Sequence, residues 1–194
     1  KESAGAEVTV LNVGLAETEP TIRKALAIGA DDAIRVDAEP VDALFVATQI
    51  AAVAKENSYD MILMGRESID YNGGQVHGMV GELLDLPVIS PVMKLEIEGT
   101  TAQMTKEIEG GKENLEVDMP FVAGCQEPIA EWRIPNMRGI MTARSKPLVV
   151  REAESGTEGT IVKSYELPPA KQGVKIVNDV DELVSLLKNE AKVL

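Results

Sequence analysis

Through its first half the chain alternates two hydrophobic rhythms. EVTVLNVG is a β-branched apolar run that stops at Gly14 and predicts a buried strand. EPTIRKALAIGA follows, with Ile22, Ala25, Leu26 and Ile28 at near-helical spacing and Gly29 as its stop. DDAIRVD predicts a second short strand. EPVDALFVATQIAAVAKENS predicts a helix with Pro40 near its start and an apolar face of Val41, Leu44, Phe45, Thr48 and Ala52. DMILMG is the next strand, and QVHGMVGELLDL the next helix, ended by Pro87. Strand and helix alternating at this spacing predict a parallel sheet with right-handed crossovers.

The rhythm then changes. VMKLEIEGTTAQMTKEIEGGKENLEVDMPFVAG alternates apolar and charged positions, as at Leu95, Ile97, Leu115 and Val117, and is broken by Gly99 and Gly110-Gly111. This predicts an antiparallel meander exposed on one face, an excursion from the main sheet. IPNMRGIMTARSKPLVV predicts a turn, a short helix and a strand, and ESGTEGT a flexible linker. The tail VKIVNDVDELVSLLKNEAKVL predicts a strand and then an amphipathic helix with Val180, Leu183, Val184 and Leu187 on one face. The fold class is therefore α/β: a Rossmann-like parallel sheet with flanking helices, an antiparallel hairpin excursion and a C-terminal amphipathic arm. The opening KESAGAEVTVLNV lacks a Met and resembles the end of a helix, so the sequence is expected to enter its protein partway.

Composition narrows the function. With 44% apolar residues among 194, the chain can bury a core without disulfides or metals, and only 3% aromatics leaves that core aliphatic. A formal charge of −13 argues against a nucleic-acid surface. A lone Cys125 and a lone His77 cannot build a metal site, and the cysteine usage reads as a reduced, cytoplasmic setting. No apolar run is long enough to insert in a membrane.

The stretch GRESIDYNGGQVHGM, directly after the third strand, is the richest in chemistry. Loops at the carboxyl ends of parallel strands are where open α/β sheets bind ligands. A helix N-terminus offers unpaired N–H groups and partial positive charge, and glycines let the backbone approach a phosphate closely. Asp70 and Asn72 are candidates for ribose or phosphate-side contacts and Gln75 for a side-chain amide bond. The stretch matches neither dinucleotide nor Walker fingerprint, so from the residues alone a nucleotide cradle and a plain strand-to-helix turn both stand.

GRESIDYNGGQV resembles the adenine-nucleotide loop of the β subunits of electron transfer flavoproteins. The resemblance continues in register through IRKALAIGADDAIRV, GELLDLP, KEIEGGKENLEVDMPFV and AEWRIPNMRGIMTARSKPL, from about Glu7 to the C-terminal helix. It implies a heterodimer with an α subunit that holds most of a working FAD. It also implies a structural AMP in this subunit and electron flow from acyl-CoA or other flavin dehydrogenases, in fatty acid oxidation, to a quinone oxidoreductase. Such a chain is an electron carrier with no catalytic residues of its own. By register, Gly65, Asp70, Tyr71, Asn72, Gly73, Gly74, Gln75 and Val76 match the nucleotide loop, and Val13 and Gly14 match a strand end near the adenine. The bulk of Tyr71 favours AMP over a whole FAD. Met137 matches the position of an apolar anchor that plugs into partner dehydrogenases, Glu131 an acid involved in docking and in freeing the mobile flavin domain, and Arg133 assists that loop. The implied division is a nucleotide-binding domain over 1–150, with hairpin and recognition loop, and a linker and arm over 151–194 that contacts the α subunit. The family's opening strand and helix are absent here; that strand is expected near the middle of the sheet, its absence leaving apolar edges.

Two alternatives stand beside this reading: a bifurcating β subunit with a second FAD in place of AMP that oxidises NADH, and a homodimeric nucleotide-binding protein of the universal-stress type. On the residues alone Met137 is an anchor or packing under a turn, Trp132 an interface anchor or a lid on the core, and Arg133 a loop assistant or a solvated charge. His77 is a phosphate contact or a polar surface group, and Cys125 is a small buried hydrophobe. Glu107, Glu109, Glu113 and Glu116 read as a solvated hairpin edge.

Overall fold

The computed structural model describes residues 5–70, 72–156, 159–171 and 173–194. It divides into two compact units, 1–161 and 162–194.

In the first unit the predicted alternation forms. Strand β1 (Thr9–Val13) leads through a 3-10 turn into helix α1 (Glu19–Ile28), β2 (Asp32–Asp37), α2 (Ala43–Glu56), β3 (Met61–Gly65) and α3 (Val76–Leu84). Helix α2 starts later than Pro40 because Asp42 is its cap, its carboxylate accepting from the Phe45 N–H at 2.7 Å. Helix α3 stops before Pro87, on Asp85 in the left-handed conformation. The meander is β4 (Val88–Glu98), β5 (Thr101–Ile108) and β6 (Gly111–Asp118), with tight turns at Gly99 and Gly110, both at positive φ. β7 (Phe121–Cys125), α4 (Met137–Ala143) and β8 (Leu148–Glu152) complete the unit.

The strands are distributed over two sheets. One has the order β1-β2-β8, all parallel; the other has the order β3-β7-β4-β5-β6, parallel across β3, β7 and β4 and antiparallel through the meander. Each therefore has an open edge, at β1 and at β3, and a cleft of about 380 Å³ lies between, lined by Thr9, Leu11, Met61 to Gly65 and, from α2, Ile50 and Ala54. Leu63 in that edge strand is half-exposed, although its neighbour β7 is buried almost throughout.

Three apolar clusters hold the unit. Ile22, Leu26, Ala30, Ala33 and Ala143 join α1, β2 and α4; Ala47, Val80 and Val122 join α2, α3 and β7; Ile89, Val92, Ala102, Met104, Phe121 and Ala123 form the core of the meander sheet. The apolar face expected for α2 is only half-buried. Its fully buried positions are Ala47, Gln49, Ala51 and Val53, because the helix is covered on more than one side. The extra cover is the segment after β8. The amide of Gln49 accepts from the Glu154 N–H at 2.8 Å and donates to the Glu154 carbonyl at 3.0 Å, as a neighbouring strand would. Asp42 also accepts from the N–H groups of Gly159 and Thr160. The stretch expected to be a free linker is thus tied to α2 at both of its described ends.

In the second unit the expected strand over VKIV does not form: a strand exists only by pairing, and these residues have no strand partner among the described residues. Helix α5 (Val180–Leu186) does form, capped by Asp179 and closed by a π-helical turn over Leu187–Ala191. Its apolar face carries Val180, Leu183 and Val184 exposed.

The paired Gln49–Glu154 bonds yield a test. Gln49→Ala removes two hydrogen bonds and opens a void at a fully buried position, so it is expected to destabilise folding by about 2–3 kcal/mol in urea titration. Glu154→Ala keeps both backbone bonds to Gln49 and loses only an exposed ion pair with Arg151 at 3.4 Å, so it is expected to leave the urea midpoint near that of the parent chain.

Candidate functional site

The glycine-rich stretch occupies the carboxyl end of β3. The Arg66 N–H donates to the Cys125 carbonyl at 3.1 Å and carries the β3–β7 pairing one step past the strand. The chain then doubles back on itself. Ser68 and Gly73 form an antiparallel bridge, the Ser68 N–H donating to the Gly73 carbonyl at 3.0 Å, and Asn72 takes φ 53°. Asn72 is among the residue types that tolerate this left-handed conformation best. The Ser68 hydroxyl donates to the Asp70 carboxylate at 3.2 Å. Gly74 lies close under the loop, where a Cβ would sit 3.4 Å from the Arg66 carbonyl oxygen. Gln75 then opens α3 without any side-chain cap bond, so the first-turn N–H groups starting at Val76 have no capping side chain.

Gly65, Asp70, Asn72, Gly73, Gly74, Gln75 and Val76 therefore belong to a strand end, a reversed loop and an uncapped helix start. Tyr71 lies outside the described residues. Val13 and Gly14 close β1, which belongs to the other sheet; the cleft separates β1 from β3, and no hydrogen bond links them to the loop among the described residues. Gly14 is fixed in place: its N–H donates to Val36, its carbonyl accepts from the buried Arg35 at 2.9 Å, and a Cβ would lie 2.8 Å from the Thr18 methyl.

Sequence reasoning missed the frame of this loop. Arg66 donates to Gln126 at 2.7 Å and to Glu67 at 2.8 Å, and Gln126 donates to Glu107 at 2.7 Å. Glu107, expected on a solvated edge, is the far end of a polar chain that ties the loop to the meander. The only advance signal was a cation directly after the strand-ending glycine.

Two titratable side chains, both half-buried, lie nearby. His77 sits in the first turn of α3 over Gly124, where a Cβ would meet both the Ser90 side chain and the imidazole edge. Burial lowers its pKa below 6.5. Burial likewise raises the Cys125 thiol above its usual 9.0, which keeps it protonated.

The recognition residues lie elsewhere. Met137 is the first residue of α4, 72% exposed, behind an Asn136 cap whose side chain accepts from the Gly139 N–H at 2.8 Å. Glu131 and Arg133 flank the exposed Trp132 along a hollow walled by Val8, Val10 and Ile28. Ile134, Ile140 and Met141 are exposed beside them, so the apolar surface is wider than the single anchor read from the sequence.

His77 is the only histidine, so its titration can be isolated. Its folded pKa is lowered, so protons bind the unfolded chain more readily. Its contribution to stability is complete above pH 6.5 and is lost as pH falls through the folded pKa. The expected result is a single imidazole NMR titration with a midpoint below 6.5 that rises toward that value on unfolding in urea.

A sequence profile of the electron transfer flavoprotein domain matches residues 1–155. The chain is 36% identical to electron transfer flavoprotein subunit beta of Bacillus subtilis, over all of this chain and 82% of that protein. It is 37% identical to the Bradyrhizobium diazoefficiens protein of the same name, over 97% of this chain and 78% of the relative. With the human subunit beta it shares 31% identity over 96% of this chain and 77% of the relative. The loop after β3 and the two-unit α/β fold thus stand in a chain that belongs to the electron transfer flavoprotein β-subunit family.

Proposed function

We propose that this chain, with an electron transfer flavoprotein α subunit, forms a heterodimeric carrier in the cytoplasm. It binds AMP structurally and docks acyl-CoA or other flavin dehydrogenases. Electrons from fatty acid oxidation then pass by way of an FAD shared with the α subunit to a quinone oxidoreductase. The observation that carries the nucleotide assignment is the reversed loop between Gly65 and Val76, opening an uncapped helix. Its residues suit an adenine nucleotide: first-turn N–H groups for phosphate, Asp70 and Asn72 for ribose or phosphate-side bonds, Gln75 for an amide bond. Val13 and Gly14 stand at a second strand end for the base. When bound, FAD supplies the redox chemistry; this chain's part is to hold the nucleotide and present a docking surface.

The docking residues are Met137, Glu131 and Arg133 on the exposed segment before and within α4. The tail suits the α subunit. Tyr165, Leu167, Val174 and Ile176 are each more than four-fifths exposed on a stretch without strand or helix, and such apolar exposure fits cover by a partner chain.

The test is to denature the purified heterodimer and measure the released nucleotides by chromatography. One FAD and one AMP per heterodimer are expected. Two FAD would replace this reading with the bifurcating one, and neither AMP nor a second FAD would remove the nucleotide from the loop. Asp70→Ala and Gln75→Ala are each expected to weaken AMP retention about 5- to 20-fold while leaving the FAD content unchanged.

A further inference from the structure

The chain carries a net charge of −13, yet basic side chains outnumber acids on the face built by α1 and α4, where Glu19 is already paired with Arg23. Five basic side chains converge there, and two serve to fasten the helices. Arg23 donates to the carbonyls of Ala143 at 2.9 Å and Lys146 at 2.8 Å, and Lys146 donates to those of Leu26 and Ala30. Gly139 completes the joint, since a Cβ there would be driven into the Ala27 carbonyl oxygen. The other three, Lys24, Arg138 and Arg144, are exposed and enter no ion pair among the described residues.

Between these rigidly joined helices lies a hollow of about 760 Å³. Its floor is apolar, from Pro20, Ala27, Pro135 and Ile140; Lys24 and Arg144 stand on its rim, as does Glu19, whose carboxylate is paired with Arg23 at 3.5 Å. Met137 and Met141 project beside it, 72% and 67% exposed. The face is therefore two-sided in character: it offers apolar knobs and, next to them, an apolar socket with cations at the lip.

We propose that this hollow is a socket for a projecting apolar side chain of the partner flavin dehydrogenase, flanked on that partner by aspartates or glutamates. The proposal rests on the docking role given above to Met137, and supplies its reciprocal half. Charge decides the class of occupant. An acidic chain with a local basic rim attracts an acidic protein surface and orients it, because complementary potentials steer encounter and penalise a rotated approach. An anionic bilayer fits less well: it is flat where this surface is concave, and three cations stand against the remaining acidic surface. A second copy of the chain would bring its own excess of negative charge but also the same cationic face, so only an offset contact would be attractive.

The test uses the FAD-loaded heterodimer and, as probe, an immobilised medium-chain acyl-CoA dehydrogenase, with binding measured from about 25 to about 250 mM NaCl. Two variants act independently: Ala27→Phe fills the socket without altering charge, and K24E/R144E reverses the rim without touching the helix joint. Each is expected to weaken binding about tenfold or more, and K24E/R144E to flatten the salt dependence as well, with bound FAD and AMP unchanged. If both bind as the parent does while Met137→Ala weakens binding, the socket is overturned and the docking segment stands. If the parent binds at no salt concentration, the docking reading falls and the socket with it. Vesicles of phosphatidylcholine and phosphatidylserine that retain the parent but not K24E/R144E, with dehydrogenase binding unaffected, would overturn the proposal in favour of a membrane surface. Concentration-dependent dimerisation abolished by Ala27→Phe, again with dehydrogenase binding unaffected, would assign the hollow to a second copy.

Discussion

Helix α2 is the joint on which the first unit depends. Among the described residues the β1-β2-β8 sheet and the β3-β7-β4-β5-β6 sheet exchange no strand hydrogen bonds, so backbone pairing does not hold them in register. Instead Ala47 reaches the cluster of α3 and β7, while Ile50 and Ala54 face the cleft beside Thr9 and Leu11 of β1. A third side, with Gln49, takes the chain that leaves β8. Small residues at Ala47, Ala51 and Ala54 allow this many close approaches, because each removes side-chain bulk where another element must lie. The apolar packing of one helix, with two polar ties at Asp42 and Gln49, does the work that continuous strand pairing does in an unbroken sheet.

This arrangement separates the parts that carry function. The nucleotide loop belongs to β3 and α3, in the sheet whose far end is the meander, and the polar chain from Arg66 through Gln126 to Glu107 anchors it there. The cationic face belongs to α1 and α4, which pack against the other sheet. On the proposed reading, a nucleotide held between the loop and the end of β1 would cross the same cleft that α2 spans. It would then be a second tie between the two sheets. On that reading an AMP would fix the relative placement of two strand ends that no hydrogen bond joins among the described residues.

What the sequence revealed follows the range of the forces involved. Local period and turn chemistry are written in neighbouring residues, so the β1–α1–β2–α2–β3–α3 alternation, the meander and the short α4 could all be read. Strand order is not local, and nothing in EVTVLNVG or DMILMG says that the two runs end up on facing open edges. Burial of α2 was misread for the same reason: Val41, Leu44 and Phe45 look like the inward face by hydropathy, but the fully buried positions are set by three separate neighbours. The tail strand failed because β-branched composition in VKIV states a preference that only a pairing partner can satisfy. The loop between Gly65 and Val76 was visible because glycine spacing after a strand is itself local, but the antiparallel bridge between Ser68 and Gly73 was not read from it. Its support was not visible, since Gln126 and Glu107 lie on elements far away in sequence.

The loop's own groups are suited to holding a ligand. Near the loop, burial lowers the pKa of His77 over Gly124 and raises that of the Cys125 thiol. Exposed on the loop are a carboxylate at Asp70, amides at Asn72 and Gln75, and backbone N–H groups, all of which can bind by hydrogen bonds. Electron transfer between cofactors makes demands of this kind. Its rate depends on distance and orientation, so a subunit serves it by rigidity and by shape at the contact. The same economy appears at α4, where the absent Cβ of Gly139 presses the helix onto α1 and Arg23 and Lys146 lock it there by bonding backbone carbonyls. An exposed apolar segment fixed this firmly keeps its knobs and hollow in one geometry before any partner arrives, which lowers the ordering cost of association.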